Sequence, residues 1–169
     1  EVRSGALHIA DNIPPTDYAG IMRDRNLDLL KVPPGVMQWI AFNNQRAPMN
    51  DPRVRRAISL AVDRKFIFDL VAEGYGAVAR GPAAPSGWDY NAAQPAIPPH
   101  DPDQARRLLA EAGHARGLKL SFLIVQREPD TQIAQVVQQQ LADVGITTEI
   151  NAPERTAVTA IRDSGNWDI

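Results

Sequence analysis

The 169-residue chain is predicted to fold as an α/β or α+β domain, a mixed sheet flanked by helices, on three observations. Short apolar runs rich in β-branched and aromatic residues, at 36–42 and 118–125, alternate with stretches whose apolar residues recur every three to four positions. Aspartate stands directly before proline at Asp51-Pro52 and Asp101-Pro102. That pairing starts a helix, because the carboxylate accepts from free N–H groups and proline loses nothing in the first turn. Gly and Pro close most of the runs. A hydrophobic share of 44% over this length supports one core, and one domain is expected.

The elements follow in order. Residues 7–10 read as a short strand, and Thr16 as the cap of a helix reaching about Arg25. Residues 27–32 and 36–42 read as extended runs around Pro33-Pro34-Gly35, a turn suited to an antiparallel pair. In the helix that Asp51 caps, Val54, Ile58, Ala61 and Val62 share an apolar face, with Arg53, Arg55 and Arg56 on the solvated side. Asp63 or Arg64 opens a second helix carrying Phe66, Ile67, Leu70 and Val71, which Gly74 and Gly76 close. The proline-rich stretch 81–99 holds too many breakers for a helix or central strand and reads as a long surface loop. A helix capped by Asp101 ends at Gly113. Beyond it come a strand at 118–125, the longest helix at 129–144 ended by Gly145, a strand at 147–150, a helix at 153–164 and the start of a strand at 167–169.

Several function classes are disfavoured. A net charge of −2 gives no electrostatic reason to expect nucleic acid as a partner. No run approaches the roughly 20 apolar residues that span a bilayer, and the first residues lack the basic and apolar regions of a signal peptide, so the chain reads as a mature or excised segment. Without cysteine there are neither disulfides nor thiolate metal sites. His8, His100 and His114 are far apart, and neither a nucleophile elbow nor a His-Glu-x-x-His pattern occurs, so no enzyme, cofactor or metal is expected. His100 beside Asp101 and Asp103 resembles a chelate on paper, but Asp101 is needed as a helix cap.

The passage Asn43 to Ile58 resembles a signature of the extracellular solute-binding proteins of bacterial peptide and nickel ABC transporters, solute-binding family 5. Asn43, Pro48, Asp51, Val54, Arg55 and Ala57 match its Asn, Pro and Asp-x-x-Val-Arg-x-Ala positions in order. Asp101 to Gly113 is similar to the family's Asp-Pro-x-x-Ala-x-x-Leu-Leu-x-x-Ala-Gly helix, and Gln138 to Ile146 to its Gln-x-x-Leu-x-x-x-Gly-Ile segment. Ser4 to Ala10 resembles the opening of the same lobe, with His8 in place of the usual Asp. The resemblance implies a type II periplasmic-binding-protein fold in which residues 1–169 form part of the second, C-terminal lobe, lacking the first lobe and the chain's return. It implies a periplasmic or extracellular, in some relatives lipid-anchored, monomer that captures peptides or related amino-acid conjugates and delivers them to an ABC transporter permease. A ligand-sensing domain of a transcription regulator is the alternative.

Four residues are candidates for ligand contact. Arg127, with Gln126 beside it, follows the strand at 118–125, and strand ends are where open α/β sheets bind ligands. In dipeptide-binding relatives an Arg in this position is a partner for the peptide's C-terminal carboxylate, which a guanidinium fork grips with two bonds. The competing reading is a surface Arg paired with Glu128 or Asp130. Trp39 lies before Asn43, where relatives place pocket aromatics; the competing reading is core packing. Trp88 sits in the long loop, where relatives carry an aromatic; the competing reading is a plug that pins the loop to the lobe.

Overall fold

A computed structural model describes residues 1–11, 13–30, 37–72, 74–83, 87–93 and 95–169. After a single 3₁₀ turn at Val2–Ser4, the order is α1 (Pro15–Met22), α2 (Pro52–Ala61), α3 (Arg64–Ala72), α4 (Pro102–Glu111), β1 (Leu118–Leu123), α5 (Asp130–Ala142), β2 (Ile146–Asn151) and α6 (Arg155–Ser164). β1 and β2 pair in parallel, Leu118 opposite Ile146 and Leu123 opposite Asn151, joined through α5. Parallel neighbours need such a crossover, which the apolar runs either side of a long amphipathic stretch encode.

Leu120, Phe122, Ile146 and Thr148 point from the sheet into the core, and Lys119, Ser121, Thr147 and Glu149 line an open depression of about 340 Å³. α5 lies against β2, and the same buried cluster holds Val54, Ile58 and Leu60 of α2, Ala105 and Leu109 of α4, and Ala134, Val137 and Leu141 of α5. Ala57, Ala61 and Ala105 are small enough for α2 and α4 to pack closely. Side chains then tie elements together: Arg106 donates to the carbonyl of Asp143 at the end of α5, and Gln138 to the carbonyl of Thr148 in β2.

Both aspartate caps form as expected. Asp51 accepts from the backbone N–H of Arg53 at 2.8 Å, and Asp101 from that of Gln104 at 2.8 Å. Asp63 accepts from the N–H of Phe66 in the first turn of α3. Hydrogen bonds from the Arg53 side chain, then from its backbone N–H, hold the Asp51 carboxyl down at about 2, against an ordinary 3.8. A depressed carboxyl stabilises the fold above its unfolded value, so this contribution is complete above about pH 4 and is lost as pH falls through about 2. Asp51→Ala should therefore melt below the wild type at pH 6, and the gap should close towards pH 2. A gap that stays constant in thermal melts across that range would refute the ionised cap.

Thr148 shows the opposite situation. It is buried on the inner face of β2, and its hydroxyl has no hydrogen-bond partner among the described residues. An unpartnered buried polar group costs about 1–3 kcal/mol. Thr148→Val, of nearly the same shape, is expected to raise stability by about 1 kcal/mol in urea unfolding, and a loss would mean that the hydroxyl is bonded after all.

The N-terminal third departs from the sequence expectation. Residues 7–10 join no ladder, and Ile9 is exposed. A four-residue alternation specifies a face but no partner strand. α1 begins at Pro15 rather than being capped by Thr16: Pro15 occupies the first helical position, no side chain caps the end, and the helix closes at Met22. Of the expected antiparallel pair, residues 27–30 and 37–42 lie outside any ladder, and the Pro33-Pro34-Gly35 turn falls outside the described residues. The described ladder is consequently parallel, not mixed. Residues 39–42 nevertheless alternate, with Trp39 and Ala41 exposed and Ile40 and Phe42 packed on the core. α1 is docked by Tyr18, whose ring meets that of Tyr75 edge to face at 4.7 Å.

Candidate ligand-binding site

Because β1 and β2 run in parallel, their carboxyl ends open on the same side, and the chain leaving β1 there carries Gln126 and Arg127. Its backbone is wound tightly onto α5. The Arg127 N–H donates to the carbonyl of Val125 at 2.8 Å, and the Arg127 carbonyl accepts from the Thr131 N–H at 3.1 Å and hydroxyl at 3.2 Å. The Arg127 side chain is 54% exposed and donates through Nε to Asp130 Oδ2 at 2.7 Å. Arg127 is thus paired with Asp130, one of the two partners that the competing reading names. Among the described residues its two Nη groups donate to no protein acceptor. Gln126 is exposed in the same turn.

Both tryptophans point outwards. Trp39 is 75% exposed and Trp88 is 99% exposed. Core packing does not account for Trp39, since Ile40 and Phe42 take the inward positions of that segment. Trp88 pins no loop to the lobe. The described parts of 81–99 contain neither helix nor strand, as the breakers predict. Arg127, Trp39 and Trp88 thus share exposure, without any contact bringing them together. The chelate read around His100 does not assemble: Asp101 caps α4, Asp103 pairs with Arg106, and His100 Nδ1 lies 3.8 Å from Asp63.

A network that the sequence did not reveal joins the Asn43 passage to the far end of the chain. The Asn43 side-chain amide donates to the carbonyls of Gly165 and Trp167, both at 3.0 Å, and its backbone N–H donates to the carbonyl of Asp168. Buried Asp168 accepts from the Ser121 N–H at 2.7 Å and hydroxyl at 3.0 Å, and pairs with Arg46 Nε at 3.2 Å. Ile169 completes the seam. Its N–H donates to the carbonyl of Ser121 and its carbonyl accepts from the N–H of Leu123, so residues 168–169 line the edge of β1 away from β2. A strand start at 167–169 was expected; that a buried carboxylate holds it was not.

Solved structures share this fold. HbpA2 from Haemophilus parasuis superposes with a TM-score of 0.81 at 25% identity, over 99% of this chain and 34% of that one. A dipeptide-binding protein from Pseudoalteromonas sp. SM9913, solved with Met-Leu, gives a TM-score of 0.70 at 29% identity, over 76% of this chain and 26% of that one. The fold is that of a periplasmic binding protein of the type II class. The sequence profile of "Bacterial extracellular solute-binding proteins, family 5 Middle" matches residues 1–169, and the chain belongs to that family. Among curated relatives, "Probable di/tripeptide-binding protein 5" of Pseudomonas aeruginosa (strain UCBPP-PA14) is 33% identical over 177 aligned positions, covering 100% of this chain and 32% of the relative. The chain therefore spans about a third of that protein's length. No helix among the described residues is long and apolar enough to cross a membrane.

Proposed function

We propose that residues 1–169 are part of the second lobe of a periplasmic or extracellular receptor that captures peptides or related amino-acid conjugates for an ABC transporter permease. The capturing protein is a monomer that closes two lobes on its ligand. Arg127 carries the reading. It stands at the carboxyl end of a parallel strand, half-exposed, with neither Nη group bonded to an acceptor among the described residues, an arrangement that can accept a terminal carboxylate with two bonds. Gln126 assists from the same turn, and Trp39 and Trp88 supply exposed aromatic surface to the pocket. Family membership and the di/tripeptide-binding relative support a small peptide as ligand. The Pseudomonas aeruginosa and Pseudoalteromonas relatives are described as binding proteins, which favours a receptor over the sensing domain of a regulator.

Closure requires ligand contacts from both lobes. In calorimetry the full-length polypeptide should bind free-acid peptides, and residues 1–169 alone should bind them negligibly. Arg127→Lys should cost the free acid about 1.5–3 kcal/mol, since an ammonium cannot reproduce the fork, and should cost a C-terminally amidated peptide less. Equal losses for acid and amide would remove Arg127 from the site and leave the loop around Trp88 as the candidate. Comparable affinity for the isolated lobe would end the two-lobe reading.

A further inference from the structure

We infer that Asp130 is a positioning residue for the ligand site: it holds Arg127 by Nε so that the two Nη groups present a fixed fork to a peptide's terminal carboxylate. The inference rests on the reading of Arg127 as the carboxylate clamp, and adds to it the residue that aims the clamp. Three observations carry it. Asp130 approaches the guanidinium at Nε, 2.7 Å away, rather than across the Nη pair. By bonding at Nε alone, Asp130 leaves the Nη pair, an edge that gives two parallel bonds, to the ligand. Asp130 is also the better fixed partner: its side chain is 15% exposed against 54% for Arg127, and it occupies the first position of α5, where the helix dipole favours a negative charge.

The second observation concerns the backbone. The bonds from Arg127 N–H to Val125 and from Thr131 to the Arg127 carbonyl fix the start of the side chain, and Asp130 fixes its head. A long, flexible arginine is ordered at both ends before ligand arrives. Binding then loses less rotamer freedom, and the fork meets its partner at a set angle. The third observation is chemical. Asp130 Oδ1 is buried without a hydrogen-bond partner among the described residues. A half-buried carboxylate with one buried oxygen unbonded depends on Arg127 as its cation, so it holds the guanidinium in place rather than releasing it.

The test uses the full-length polypeptide and an equimolar mixture of free-acid dipeptides, with the same mixture as C-terminal amides. Mass spectrometry identifies the best-retained peptide, which calorimetry then titrates. Arginine Nε labelled with ¹⁵N reports on the Arg127 Nε–H by its exchange rate. Asp130→Ala is expected to accelerate that exchange and weaken the free acid about tenfold, the factor typical of losing an outer-shell partner, while affecting the amide far less. Asp130→Asn keeps an acceptor for Nε and should restore most of both signals. If Asp130→Ala leaves free-acid affinity unchanged while Arg127→Lys lowers it, the positioning role is overturned and the clamp survives. Tighter binding by Asp130→Ala would overturn it too, by showing that Asp130 competes with the ligand. If Arg127→Lys is neutral, or the wild type retains no dipeptide, the clamp itself falls and the inference with it.

Discussion

Ile58→Ala is expected to cost about 2–5 kcal/mol of stability, the range for truncating a buried aliphatic side chain to alanine. Ile58 is 1% exposed and sits in the middle of α2, the helix that packs on both α4 and α5. Its side chain is part of the same buried cluster as Leu109, Val137 and Leu141, which lie on those two helices. Truncation removes the transfer energy of the lost carbons and leaves a void that two anchored helices cannot fully close. α2 is anchored at its start by the Asp51 cap, and at its end by Arg64, which donates to the carbonyls of Ser59 and Val62. Against a domain stability of about 5–15 kcal/mol the loss is large. The urea midpoint should fall with little change in slope, and a shift equivalent to under about 1 kcal/mol would show that this interior is not close-packed.

Asp168→Ala is expected to have the next largest effect, about 2–4 kcal/mol, because it strips one partner from several polar groups at once. Ser121 loses the acceptor of its N–H and hydroxyl, and Arg46 loses its ion pair. Burial decides the size. An exposed pair of the same length is worth under about 1 kcal/mol, but Asp168 is buried and its partners are not replaced by water at no cost. Asp168→Asn keeps much of the shape and one acceptor, and should lose less. Urea unfolding of both variants checks the order, and an Asn variant as unstable as the Ala variant would assign the effect to charge alone.

What the sequence made legible was local. Asp51-Pro52 and Asp101-Pro102 announce α2 and α4 because a cap and its helix lie within a few residues of one another. Gly145, at φ +90°, ends the α5 region where only a residue without a side chain sits easily, and that too is a local signal. Sheet pairing is not local. Residues 7–10 and 37–42 carry strand-like composition, yet nothing in them states whether a partner strand exists, and no ladder includes them. The role of Asp168 was hidden for the same reason, since Ser121 is 47 residues away and the Asn43 turn farther still. At the candidate site, the place of Arg127 after a strand was readable. The outward direction of Trp39 and Trp88 was not, because an aromatic in an extended run suits a core and a surface equally well.

The backbone N–H of Asp101 donates to the carbonyl of Leu60, and that of Tyr75 to the carbonyl of Ala72. The first moors the chain just beyond the proline-rich stretch to α2, and the second closes the turn by which the chain leaves α3 ahead of it. A loop with moored ends can change length cheaply, because closure entropy grows only with the logarithm of its span, and ten further residues there would cost on the order of 0.3 kcal/mol. Residues 81–99 are therefore a region in which insertions, deletions and new side chains can accumulate across generations while α2, α3 and α4 keep their places.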